Sequence, residues 1–179
     1  MVSRLDRSAS RICADLTLDD AARELLRDEM RGREFLDLLA EHDLVSDAIK
    51  VLARALPKAT AVEWACNIAR SEFGDRLHAR DRTCLDAAER WIADPSDVNR
   101  RAALAAAGQR DYATPSAWLA AAAGWSAGSL TAPHEPPVPP ADHLTAQAVA
   151  GALTVLASRK PPEFVERQTA YLRAGLETT

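Results

Sequence analysis

Cysteine, histidine and aromatic side chains are all scarce in this chain, and each shortage excludes a class of chemistry. Cys13, Cys66 and Cys84 are odd in number and share no short spacing, so they form neither a closed disulfide framework nor a zinc site. A reducing location, the cytoplasm, is expected. His42, His78, His134 and His143 are dispersed, and the nearest other ligand type, Cys84, falls on a different helix face from His78. No metal and no cofactor are expected. Basic residues are outnumbered, 22 Lys and Arg against 26 Asp and Glu, for a formal charge of -4 and a pI near 5.6. That balance speaks against a nucleic-acid partner, which requires concentrated positive charge. No apolar run approaches the roughly 20 residues of a membrane span; Ala113 to Ala123 comes nearest and is too short. Met1 to Leu18 holds Arg4, Arg7 and Arg11 with no continuous apolar segment after them, so no secretory leader is expected.

The most informative shortage is local. Between Ala102 and Ser158 only Arg110, Asp111, Glu135 and Asp142 carry charge, in a run of Ala, Leu, Val, Trp and Pro. A surface helix keeps one charged face in water, so helices this bare must be buried within the fold or held against a partner. The centre of the run is Pro133-His134-Glu135-Pro136-Pro137-Val138-Pro139-Pro140.

What is present reads as helix throughout. Apolar residues recur at helical spacing over Asp20 to Glu29, Glu34 to Asp43, Asp47 to Ala55, Ala59 to Phe73, Arg76 to Ala93, Ser96 to Ala107, Ser116 to Trp125, His143 to Ser158 and Glu163 to Gly175. Ser46 and Asp142 are expected N-caps, Gly74 a C-terminal stop, and Asp94-Pro95 and Thr114-Pro115 caps followed by proline at the first helical position. The expected class is all-α: about nine short helices as stacked αα-hairpins, in an irregular bundle or short solenoid. No fixed-period repeat supports a TPR or HEAT array. Residues 1–179 suit a single domain, with 1–16 as a loose N-terminal arm and 131–141 as a proline-rich loop.

Candidate chemistry is thin. Gly124-Trp125-Ser126-Ala127-Gly128 matches the G-x-S-x-G nucleophile elbow, but an Ala-rich helix precedes Ser126 where an elbow needs a strand. Adjacent Asp142 and His143 are poorly disposed to act as orienter and base for one serine. Ser126 is therefore expected at a helix end, and His143 in a loop-pinning role. Carboxylate neighbours such as Glu41 with Asp43 point apart on a helix and read as surface charge. Partner contact is assigned to Trp118, Trp125, Pro136, Pro137, Val138, Pro139, Arg100 and Arg101: aromatics that a proline segment can stack on, the segment itself, and an arginine pair able to hold a carboxylate. Trp64, Trp91 and Trp118 are expected in the core. Pro136 to Pro140 is expected as a clasp across the helices of Trp118 and Val149, with Val138 and at least two prolines buried.

Several strings occur together: Leu56-Pro57-Lys58, Trp64-Ala65-Cys66, Asp94-Pro95 with Asn99-Arg100-Arg101-Ala102-Ala103, Thr114-Pro115 with Trp118, Gly128-Ser129-Leu130, the proline segment, His143-Leu144-Thr145-Ala146 and Ala148-Val149-Ala150-Gly151-Ala152. As a set, from about Leu44 to Leu156, they resemble an uncharacterised bacterial family of small helical proteins, itself a domain of unknown function found in type VI secretion gene neighbourhoods. The resemblance implies context and no catalytic residues. It points to a non-enzymatic cytoplasmic adaptor or chaperone-like accessory protein whose partner is an effector or spike component. An immunity protein against a secreted toxin is the alternative, and a serine hydrolase using Ser126 comes after both.

Overall fold

A computed structural model describes residues 4–132 and 134–179. The helices are α1 (Ala9–Cys13), α2 (Asp20–Leu25), α3 (Gly32–Glu41), α4 (Val45–Ala55), α5 (Lys58–Phe73), α6 (Ala79–Ala93), α7 (Asp97–Gly108), α8 (Pro115–Gly124), α9 (Leu144–Ser158) and α10 (Phe164–Leu176). Short 3-10 turns lie at Arg4–Asp6, Gly74–Arg76 and Pro161–Glu163. The described residues contain no strand, only an isolated antiparallel bridge between Ser8 and Arg31. The class is all-α, with the nine expected helices present and α1 added.

Side-chain caps mark the starts of α6, α7 and α8, and three expected caps are corrected. Thr114 caps α8 as expected, its Oγ1 accepting from the Ala117 N–H at 3.2 Å with Pro115 in the first turn. The parallel device at Asp94-Pro95 is displaced. Ser96 caps α7 through the Asn99 N–H and leaves Pro95 outside, while Asp94 holds the Asn99 amide with its main-chain oxygen at 2.9 Å and Oδ2 at 3.0 Å. Asp142 does not cap α9, because Arg54 and Lys58 take its carboxylate at 2.8 and 2.9 Å. Ser46 lies inside α4 and donates to Gln168 Oε1 on α10 at 2.8 Å. The expected loose arm is also corrected. Leu5, Ala9, Ile12 and Cys13 are buried, and the Ala9 and Gly32 N–H groups donate to Met30 and Arg7 carbonyls at 2.8 and 2.9 Å.

The packing is a bundle. In a solenoid each unit touches only its neighbours in sequence. Here α9 and α10 return to pack against α4 and α5, far away in the chain, while α6, α7 and α8 form a mutually packed triplet. At the centre α8 is buried on all sides except Trp118, and α9 packs on it. The helical parts of the nearly uncharged stretch, α8 and most of α9, thus form core. Alanine makes this possible: a Cβ on Gly124 would stand 2.7 Å from Leu104, so α7 and α8 meet almost backbone to backbone.

Polar ties fix the helix ends. Asp81 at the start of α6 accepts from Arg110 Nε at 3.0 Å and Thr114 Oγ1 at 2.7 Å, joining the triplet at one point. Trp64 is buried and donates to the Tyr171 carbonyl at 2.9 Å, its ring lying against Gly175, where a Cβ would come within 2.5 Å of it. Trp91 is buried as well, whereas Trp118 is 36% exposed and so departs from the core role expected of it. All three cysteines are free and buried, and burial, aided by Asp47, pushes the Cys13 thiol up to about 11.

Trp64→Ala and Trp91→Ala should each cost about 3–5 kcal/mol in chemical denaturation, and Trp118→Ala distinctly less. Asp81 supplies a pH signature. Burial alone would raise its pKa, but hydrogen bonds from Arg110 and Thr114 outweigh burial and hold it below the ordinary 3.8. Its contribution is present in full above that value and is lost as the pH falls through the depressed one. Asp81→Asn should therefore lower the melting temperature at neutral pH, and the gap to the parent protein should close in acid.

Candidate functional site

After α7, Asp111 and Tyr112 both adopt left-handed backbone, with φ of 51° and 52°. Two consecutive side-chain-bearing residues in that region are uncommon. The turn they make directs the Tyr112 carbonyl to accept from Trp118 Nε1 at 2.5 Å and brings the Tyr112 ring onto Trp125, with centroids 6.0 Å apart and planes 17° from parallel. The Trp118 ring lies over Gly151 of α9, where a Cβ would come within 2.0 Å of it. No other residue fits beneath the ring.

These three rings form one wall of a groove of about 680 Å³, completed by Leu144, Ala148 and Val155 of α9 and by Leu16 and Lys50. The groove is almost entirely apolar. Lys50 is tied to Asp47 at 2.8 Å and to the Thr17 carbonyl at 3.0 Å. Tyr112 and Val155 are 41% and 42% exposed. Concave apolar surface of this size with exposed aromatic rings has the form of a binding site.

The expected site residues separate into two groups. Trp118 and Trp125 come together in the groove. Arg100 and Arg101 do not join them, and both are engaged within the chain, Arg100 fully and Arg101 through two of its three nitrogens. Arg100 is buried: Nη1 donates to the Gly124 carbonyl at 2.8 Å, Nη2 to the Ser129 carbonyl at 3.1 Å and Nε to Asp97 at 2.8 Å. Arg101 donates to Asp97 at 2.7 Å and to the Thr131 carbonyl at 3.0 Å. A buried guanidinium needs this degree of satisfaction to offset its desolvation. Hydrogen bonds from Arg101 and Arg100 hold the Asp97 pKa below its usual value.

The proline segment is also corrected. Pro136, Pro137, Val138 and Pro139 are exposed, Val138 by 49%, so the expected burial of Val138 and two prolines is not found. The segment folds back on the chain that precedes it. Leu130 N–H donates to the Val138 carbonyl at 2.9 Å, Val138 N–H to Ser129 Oγ at 3.0 Å, and Thr131 Oγ1 to the Pro136 carbonyl at 2.8 Å. Prolines lack an N–H, so carbonyls and the single Val138 amide do the fastening, and ring burial is not required. Pro133 lies outside the described residues.

Ser126 sits in the turn that ends α8, buried, its hydroxyl without a hydrogen-bond partner, and Gly128 follows with φ of 69°. A helix, not a strand, leads into it, so the elbow geometry is not formed. His143 begins α9 without a side-chain cap and makes no hydrogen bond to the loop among the described residues, so it does not pin it. His78 Nδ1 accepts from the Arg80 N–H, and Cys84 Sγ donates to the Ala106 carbonyl at 3.4 Å.

A family of unknown function, DUF6931, matches residues 35–179. The chain belongs to DUF6931. No curated protein and no solved structure matches it. The DUF6931 match contains all three groove aromatics and Gly151, and leaves Leu16 outside. Tyr112 and Gly151 were not singled out from sequence. Gly151 carried a signal, being a glycine inside a helix and therefore a sign of close approach; Tyr112 carried none, because its position depends on the left-handed turn.

Two substitutions test this geometry. Gly151→Ala should drive the Trp118 ring outward, seen as a red shift in tryptophan emission with a modest loss of stability. Arg100→Ala leaves two carbonyls without their donor and should cost about 2–3 kcal/mol, with proteolysis accelerating first within 126–141.

Proposed function

We propose that this DUF6931 protein is a non-enzymatic adaptor or chaperone-like accessory protein that holds a protein client in the Tyr112, Trp118 and Trp125 groove. The observation that carries the reading is the contrast within the uncharged half of the chain. Its helices α8 and α9 are largely buried, yet Tyr112, Trp118 and Trp125 are gathered at one open groove. Exposed aromatics are costly to maintain in water and are enriched where proteins bind one another. Tyr and Trp give large contact area for little loss of side-chain freedom.

The lining also bears on the chemistry. Its charged members are Asp15 and Lys50, and Lys50 is already paired, so recognition relies on apolar burial. Such a groove suits an aliphatic or aromatic stripe from a client that is later released. The setting we propose for it, from the family resemblance, is the cytoplasmic side of a type VI secretion system, with an effector or spike component as client. The exposed Pro136 to Pro139 segment offers a second contact surface on the same protein.

Affinity capture from the native cell with mass spectrometry, run in parallel on Tyr112→Ala and Val155→Asp, tests this. Both positions are partly exposed and outside the core, so melting should fall only slightly, and capture is compared at temperatures well below it. Clients held in the groove should fall by about tenfold or more in each variant, as for loss of a hot spot. Equal recovery from parent and variants would overturn the reading. A captured toxin silenced by binding would make the role immunity.

A further inference from the structure

A second concavity, of about 570 Å³, has the opposite chemistry. Arg7 and Arg11 reach it from the N-terminal turn and α1, Arg54 from the last turn of α4, Lys58 from the first residue of α5, and Asp142 from the residues before α9. Asp142 bridges Arg54 at 2.8 Å and Lys58 at 2.9 Å, and a second carboxylate, Asp15, stands 3.8 Å from Arg54. Lys58 also donates to the Ser126 carbonyl at 2.8 Å. Four cations and one carboxylate, Asp142, line the concavity. With Asp15, which touches Arg54 from the lining of the aromatic groove, an excess of two positive charges is left in a chain whose formal charge is -4.

The unused donors are specific. Arg7 and Arg11 have no ion-pair or side-chain hydrogen-bond partner among the described residues, and Arg54 Nε is buried without one. A buried guanidinium N–H with no acceptor is a destabilising feature that a bound anion relieves. Gathering four like charges in a concavity is likewise unfavourable unless something of opposite sign enters. Asp142 shows what the inner end accepts, since its carboxylate already sits between Arg54 and Lys58. Both cations favour its charged form, and the Lys58 hydrogen bond first of all lowers its pKa.

We infer that this pocket binds the phosphoryl group of a small phosphorylated molecule. A phosphoryl dianion matches the excess of two charges. Arginine forks recognise phosphate oxygens in pairs, and donors arriving from several elements surround a tetrahedral group better than a planar one. The concavity is of ligand size in a chain of net negative charge, which fits a small molecule and not a nucleic-acid backbone. The site shares no lining residue with the aromatic groove, the contact of Asp15 with Arg54 joining the two, and it does not depend on the client-binding reading. Arg7 and Arg11 lie before the residues matched by DUF6931, and Arg54, Lys58 and Asp142 lie within them.

Calorimetric titration of the full chain with inorganic phosphate, pyrophosphate and glycerol phosphate tests the inference. One saturable site is expected, with a Kd of about 1 mM or tighter, weakening as sodium chloride is raised. Arg7→Gln combined with Arg11→Gln, both at exposed positions, should leave melting unchanged and weaken binding by about tenfold. Asp142→Asn removes the internal competitor and should tighten binding by several-fold, a direction that simple destabilisation does not produce. Flotation with phosphatidic acid vesicles, against phosphatidylcholine alone, shows whether a lipid headgroup supplies the phosphoryl group; binding there in place of the soluble probes supports the same site chemistry. Absence of saturable binding to every probe, unchanged affinity in the double variant, or weaker binding in Asp142→Asn would each overturn the inference.

Discussion

Close contact through alanine between α8 and its neighbours is the constraint on which the rest of this structure depends. Each alanine buries little apolar area, so such a helix is held only if surrounding helices approach it closely on every side. The arrangement meets that condition with α5, α6, α7 and α9, and with Gly124 against Leu104. Close packing of small side chains gives little directional information, and the helix ends are instead located by polar ties. Asp81 with Arg110 and Thr114 sets one end of the triplet, Arg100 reaches the carbonyl that ends α8, and Thr145 Oγ1 donates to the Ala122 carbonyl at 3.1 Å to join α9 to α8.

The groove follows from the same economy of volume. Where α8 meets α9, alanines and Gly151 leave too little side chain to cover the interface, and Trp118 lies across the gap with one face still open. Tyr112 and Trp125 extend that surface because the turn after α7 and the end of α8 bring them together. The start of α9 then separates two chemistries: Leu144 lines the apolar groove, and Asp142 two residues earlier occupies the basic pocket. Arg100 and Arg101 belong to neither. They fasten the 124–131 segment, which in turn fastens the exposed prolines.

Helix periodicity, proline punctuation and the long uncharged run together determined the all-α class, nine of the ten helices and the burial of Trp64 and Trp91. These are properties of local spacing, and local spacing is written in the sequence. The cap at Ser96 in place of Asp94 turned on a local competitor, Asn99. The burial of the N-terminal turn and the engagement of Asp142 were decided by tertiary structure, because each depends on a partner from elsewhere in the chain: the Met30 and Arg7 carbonyls around the bridge, and Arg54 and Lys58 for Asp142. The same holds for the sites. Trp118 and Trp125 fall seven residues apart, one helical face by spacing, but whether that face met core or water rested on how much volume α9 brought to it. Gly151 brought none, and the rings remained at the surface.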